Sequence, residues 1–251
     1  MEKKDSHFDG VSIIAKAGAI ALALVVASCQ SIPEGEKGDP ADALAQKMLS
    51  AANLKTWNEK VEAVEFRFRE KNSYFWDKKR GLVEFNNGEL KVQFSKNTFQ
   101  GVAWKDGEAL QSEELAEAIA EANSNFVNDS FWLQHAYHIQ SPGTELYAVD
   151  GSTLRVTFSS GGVTPGDTYV FHLNEKNQIQ LMEMWVSIIP IEGADAEFDS
   201  YKTHEPGVTV AETRSVLGIL TIVIDQVQMH TNLDSVDERF QPLFDAHPNL
   251  K

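Results

Sequence analysis

A single cysteine, Cys29, leaves no internal disulfide to staple this chain, so its fold must rest on a packed core. Basic residues are scarce: 22 Lys and Arg stand against 37 Asp and Glu, a formal charge of −15. That balance argues against nucleic acid, and against anionic lipid headgroups, as partners held by charge attraction. The apolar run Ala17–Ala27 falls short of the roughly 20 residues a membrane-spanning helix needs. Signatures of chemistry are missing too. There is no HExxH, and His135 and His138, although spaced for one helix face, have no evident third ligand. Gly161-Gly162 lacks the lysine and the following helix of a phosphate loop, and Asp150-Gly151-Ser152 lacks the G-x-S-x-G elbow. Glu113-Glu114 and Asp237-Glu238 read as solvated helix-start charges, and Asp167 as an acceptor within its own turn. No catalytic residue, metal or cofactor is expected.

What is present begins with Ala17–Gln30, AGAIALALVVASCQ. The apolar run has the length of a signal-peptide core. It ends in Val26-Ala27-Ser28-Cys29, an order that resembles the lipobox of bacterial lipoproteins. The resemblance implies cleavage before Cys29 and acyl chains on its sulfur and new amino group. The competing reading is a free thiol beside an ordinary signal peptide. Two or more acyl chains anchor stably where one holds marginally. Gln30, rather than Asp, follows the cysteine, which in the sorting pattern of Gram-negative lipoproteins implies the outer membrane, facing the periplasm. Display on the cell surface stays open, since Glu34, Glu36 and Asp39 follow closely. Residues 1–28 are thus read as a signal peptide, 29–40 as lipidated cysteine plus a mobile Gly- and Pro-containing tether, and 41–251 as one domain.

The domain opens at Asp39-Pro40, a helix-start pair, and Leu44, Met48, Leu49 and Ala52 then recur at helical spacing over Ala41–Asn53. From Lys60 the period changes to two: Val64, Phe66 and Phe68 alternate with Glu65, Arg67 and Arg69. Further alternating runs follow, joined by turn signals such as Asn86-Asn87-Gly88. A second helix starts at Ser112, with Leu115, Ile119 and Ala122 as its stripe. Asn128–Ile139 is expected to form a helical turn and then a strand, and Asp234–Phe244 a capping helix or ordered coil.

This sequence of elements resembles the LolA/LolB-like lipoprotein carriers, and the phrases FWDKKRG (Phe75–Gly81), VNDSFWLQHAYHIQSPG (Val127–Gly143), VTPGDTY (Val163–Tyr169) and EFDSYKTHEPGVTVAETRSV (Glu197–Val216) resemble an uncharacterised branch of that superfamily. The resemblance implies an α+β fold: a curved antiparallel sheet, a half-open β-barrel of about ten strands, covered by two or three helices. It also implies a non-catalytic carrier with a lipophilic ligand, a lipid or lipid-modified molecule, on the concave apolar face. Phe66, Phe68, Val92, Phe94, Trp104, Val156, Phe158 and Phe171 are the candidates to line that face. The alternative for each is core filling, in which case the domain is a structural or protein-interaction module of an envelope complex. Arg67, Arg69 and Arg155 are expected on wet faces.

Overall fold

Strand alternation shapes most of the molecule. The structure, a computed structural model, describes residues 31–159, 166–187, 191–233 and 236–251, so Cys29, the signal segment and Gly161-Gly162 lie outside it. Strands β1 (Ala63–Phe68), β2 (Asn72–Asp77), β3 (Leu82–Asn86), β4 (Leu90–Ser95), β5 (Gly101–Lys105) and β6 (Glu108–Ala109) form one meander. A second runs through β7 (Thr144–Ala148), β8 (Thr153–Phe158), β9 (Thr168–Leu173), β10 (Ile179–Trp185), β11 (Ala194–His204), β12 (Val208–Val216) and β13 (Leu220–His230).

The last strand pairs with the first, giving one antiparallel sheet in the order β6-β5-β4-β3-β2-β1-β13-β12-β11-β10-β9-β8-β7. The sheet is curved and unclosed, with β6 and β7 at its edges. The β1–β13 seam carries a bulge: register shifts between Glu65 and Arg67, where Gln226 sits at φ 53°. Such an extra residue bends the strand and increases its twist.

Helix α1 (Asp39–Ala52) buries Ala41, Leu44, Ala45, Met48 and Leu49. Its start differs from expectation, because Gly38 occupies the cap position at φ 90° and Asp39 lies in the first turn. Asn53 ends α1 in the left-handed region and begins α2 (Leu54–Glu59), its side chain accepting from the Thr56 amide at 3.4 Å. Its Nδ2 also donates to the Gly207 carbonyl at 2.9 Å, pinning the junction to the β11–β12 turn.

The chain leaves the β6 edge in α3 (Ser112–Leu133), turns through α4 (His135–His138) and enters β7 at the other edge. A 22-residue helix spans about 33 Å, whereas thirteen flat strands would part the edges by roughly 58 Å. A curled sheet brings the two edges within reach of that helical link. The expected turn and strand at Asn128–Ile139 are replaced by the end of α3 and by α4. Asn, Asp and Ser favour turns by bonding their own backbone. Here the Asp129 carboxylate bonds residues of β2 instead, and the helix runs on.

Two further expectations change. The tether is docked over part of its length: Glu36 and Ala148 exchange backbone hydrogen bonds of 2.8 Å each, and Lys37 meets Glu145 at 3.1 Å. The C-terminal segment is helical, as expected, in α5 (Val236–Arg239) and α6 (Gln241–Ala246), but it lies on the face of β1–β5 opposite α3. There Phe75, Leu82, Val236, Phe240, Leu243 and Phe244 make a second, smaller core. Arg80 closes its rim, reaching Asp77 at 2.6 Å and Asp237 at 2.7 Å, so Asp237 is not simply solvated.

Candidate functional site

Strand pairing aligns the apolar side chains of the concave face in rows. Phe66 lies opposite Tyr74, Tyr74 opposite Phe85, Phe85 opposite Val92 and Val92 opposite Ala103. In the other half Leu154, Phe171, Met182 and Ala196 form a matching row. Of the eight candidates, Phe66, Phe68, Val92, Phe94, Val156 and Phe171 are buried in one core with the helices, and Phe158 is half-buried beside it. Beneath α1 and α4 the free space is about 30 Å³, on the order of two water molecules.

Trp104 is placed differently. It lies opposite Lys91, while Ala103 faces Val92, so Trp104 stands on the other side of the sheet and is half-buried there. The inward positions of β5 are small because α3 needs the room. A Cβ on Gly101 would sit 2.9 Å from Ile119 Cδ1 and 2.7 Å from the Gln93 carbonyl. Trp104, the largest apolar residue of the strand, therefore has the outward parity.

Arg69 is exposed, as expected of a wet face, whereas Arg67 and Arg155 have partners. Arg67 is bidentate to Asp225 at 2.8 and 2.6 Å, and its fork holds the Asp225 carboxyl below the usual range. Arg155 lies over the Tyr147 ring and donates to the Pro33 carbonyl at 2.8 Å.

Helix α3 covers the concave face through Ala118, Ile119, Ala122, Phe126, Asp129, Ser130 and Leu133. Glu113 and Glu114 complement the positive end of its dipole. Asp129 is a carboxylate within an apolar stripe. Its Oδ2 accepts from Tyr74 Oη at 2.6 Å and from Asn72 Nδ2 at 2.9 Å, and its Oδ1 from Asn128 Nδ2 at 2.8 Å. Burial pushes the Asp129 carboxyl up, against the opposing pull of these donors, and burial also raises the Tyr74 phenol. This clamp between helix and sheet was missed in the sequence. The available signal was position: Asp129 falls three residues after Phe126 and four before Leu133, on the buried stripe.

Beside the first half of α3 the cover is incomplete. Leu115 and Ile119 of the helix, Phe99 and Gln100 before β5, Gly101 at its start, and His247 bound a mainly apolar groove of about 500 Å³. That volume lies in the range of small-molecule sites. Phe99 is exposed at its rim and holds φ 58°.

Among the described residues, no group of three His, Cys, Asp or Glu side chains could hold a metal, and no helix is long and apolar enough to cross a membrane. His135 is instead surrounded by Phe131, Trp132 and Phe198, with ring centroids at 4.6 to 5.1 Å. Burial lowers both histidines, His135 well below its usual value and His138 to about 4, leaving neutral rings. Asp167 accepts from the Ser187 amide at 3.3 Å, a bond that reaches across to the end of β10.

No family model and no curated protein match the chain. Among solved structures it is similar to a DUF1329-family protein from Desulfovibrio piger, at 12% identity over 85% of this chain and 100% of that one, with a TM-score of 0.41. It is also similar to a LolA-superfamily protein from Nitrosomonas europaea, at 11% identity over 79% and 97% of the two chains, TM-score 0.36. A third similar structure is an outer membrane lipoprotein-sorting protein domain from Vibrio parahaemolyticus, at 11% identity over 79% and 99%, TM-score 0.32. Likeness this distant assigns no ligand or partner to the chain.

Proposed function

We propose that this chain is an envelope lipoprotein, anchored to the outer membrane through acylated Cys29, whose half-barrel domain of residues 41–251 binds a lipophilic ligand without catalysis. The observation carrying the reading is the groove of about 500 Å³ between α3 and the residues preceding β5. It is apolar, it is open, and its floor residue Ile119 is also part of the concave core. An acyl or isoprenoid chain would enter there and extend beneath α3 once the helix lifts, displacing its packing on β4 and β5. A hinged cover of this kind moves on microseconds to milliseconds.

Native mass spectrometry of the chain, purified without added lipid, tests this. A co-purifying lipophilic species near one-to-one stoichiometry is the expected result. A clean apo mass, with no uptake from a panel of phospholipids, fatty acids and isoprenoids, would sink the reading. A second reading has its own support in the filled concave face. With the core closed as described, the domain would serve as an interaction module in an envelope complex, and in-cell cross-linking would then trap one recurrent protein partner.

A further inference from the structure

Arg214 is the largest fully buried side chain, set on β12 between Phe198 of β11 and Ile222 of β13. Its guanidinium lies over the Phe198 ring, 5.2 Å from the centroid. Among the described residues no carboxylate lies within ion-pair distance of it, and its Nε and Nη1 have no hydrogen-bond partner. The acid two residues away, Glu212, is engaged with Lys202 at 3.5 Å and His204 at 3.2 Å. The Tyr201 hydroxyl donates to the Ile179 carbonyl at 2.8 Å. A guanidinium does not lose its proton in proteins, so a buried, unpaired positive charge remains.

Two more orphaned groups line the same small cavity. Gln134 and His135, at the junction of α3 and α4, are buried, and the Nε2 atom of each is unpartnered. The remaining walls are mainly apolar, including Met48 of α1, Ile179 of β10 and Val210 of β12, with Gln178, Tyr201 and Thr209 the polar members. Side-chain nitrogens from β12 and from the α3–α4 junction, each without a hydrogen-bond partner, thus line a space of about 30 Å³. The space suits two oxygen-sized atoms, and the single fixed cation balances one negative charge. A phosphate, with four oxygens and more than one charge near neutral pH, suits it poorly.

We propose that Arg214, Gln134 and His135 form a buried binding site for one carboxylate group. Arg214 supplies the charge, the Gln134 amide donates, and His135 donates from its Nε2–H tautomer. The carboxylate belongs either to a small free acid or to the end of a longer acyl chain. The site lies at the opposite end of α3 from the open groove, so it stands whether or not that groove takes a lipid.

The test uses the full chain with ¹⁵N-labelled arginine, titrated at constant ionic strength with formate, octanoate, chloride and inorganic phosphate. The expected result is a saturable shift of the Arg214 Nε–H resonance with a carboxylate, and a nuclear Overhauser contact from the formate proton to that group. A hundredfold excess over Kd would raise Tm by roughly 5–10 °C. Saturation by formate identifies a free-acid site; saturation by octanoate alone identifies an acyl-borne one. Gln134→Met, which retains Arg214, is expected to weaken binding roughly tenfold. Arg214→Met is expected to abolish it, and if that variant fails to fold, the Gln134→Met comparison and the direct contact decide. No saturable shift with either acid, or equal saturation by chloride or phosphate, would overturn the proposal.

Discussion

The hydroxyl of Tyr74 on β2 donates to Oδ2 of Asp129 on α3 at 2.6 Å, with both residues buried between helix and sheet. Tyr74→Phe removes one donor while leaving the carboxylate in place. We expect a loss of about 1–3 kcal/mol in urea unfolding, with faster amide exchange in the second half of α3. An unchanged exchange pattern would mean that the pair does not hold the helix down.

Asp129 also gives stability a pH dependence of defined sign. Its folded pKa is raised above the ordinary 3.8, chiefly by burial. Its contribution is therefore fully present below about 3.8 and is lost as pH rises through the folded value. Asp129→Asn keeps an acceptor for Tyr74 but cannot ionise. Relative to wild type it should gain stability between mild acid and neutral pH. Equal differences at pH 4 and pH 7 would contradict the burial of a charged group here.

Phe240 tests the second core. It is fully buried with Phe75, Leu243 and Phe244, and Phe240→Ala is expected to cost about 3–5 kcal/mol by urea unfolding. A loss below about 1 kcal/mol would show that the C-terminal helices are dispensable to the sheet.

The groove can be blocked without touching the core. Ala120 lies on its wall and is exposed, so Ala120→Trp should keep stability within about 0.5 kcal/mol. Lipid uptake should fall at least about tenfold. Wild-type uptake by a folded Ala120→Trp protein would exclude the groove as the entry.

Cys29→Ser tests the anchor. Metabolic labelling with a radioactive fatty acid should disappear, and the protein should leave the membrane fraction, since no other thiol is available. Retention of the unlabelled variant on the membrane would point to a different attachment.

Local patterns were readable wherever a short period repeats. The alternation Val64-Glu65-Phe66-Arg67-Phe68 announced β1, and Leu44, Met48 and Leu49 announced the buried stripe of α1. Asn128-Asp129-Ser130 misled because turn propensity is a local preference, and a bond to Tyr74, 55 residues away, overrides it. Trp104 misled because the inward parity of β5 was set by its pairing with β4 and by the packing of Ile119 on Gly101. Arg214 shares the parity of Val208, Val210 and Val216, so the alternation of β12 places it inward in spite of its charge.

By itself, then, the sequence determined the strands, the amphipathic helices, the acidic surface and the single cysteine, because each depends on residue type or on neighbours within a turn or two. Tertiary structure alone decided that β13 closes against β1, that α3 bridges the sheet edges, and that the tail covers the opposite face. It also brought Arg214, Gln134 and His135 around one cavity. Those outcomes depend on pairings between segments far apart in the chain, where burial and hydrogen-bond satisfaction outweigh local preference.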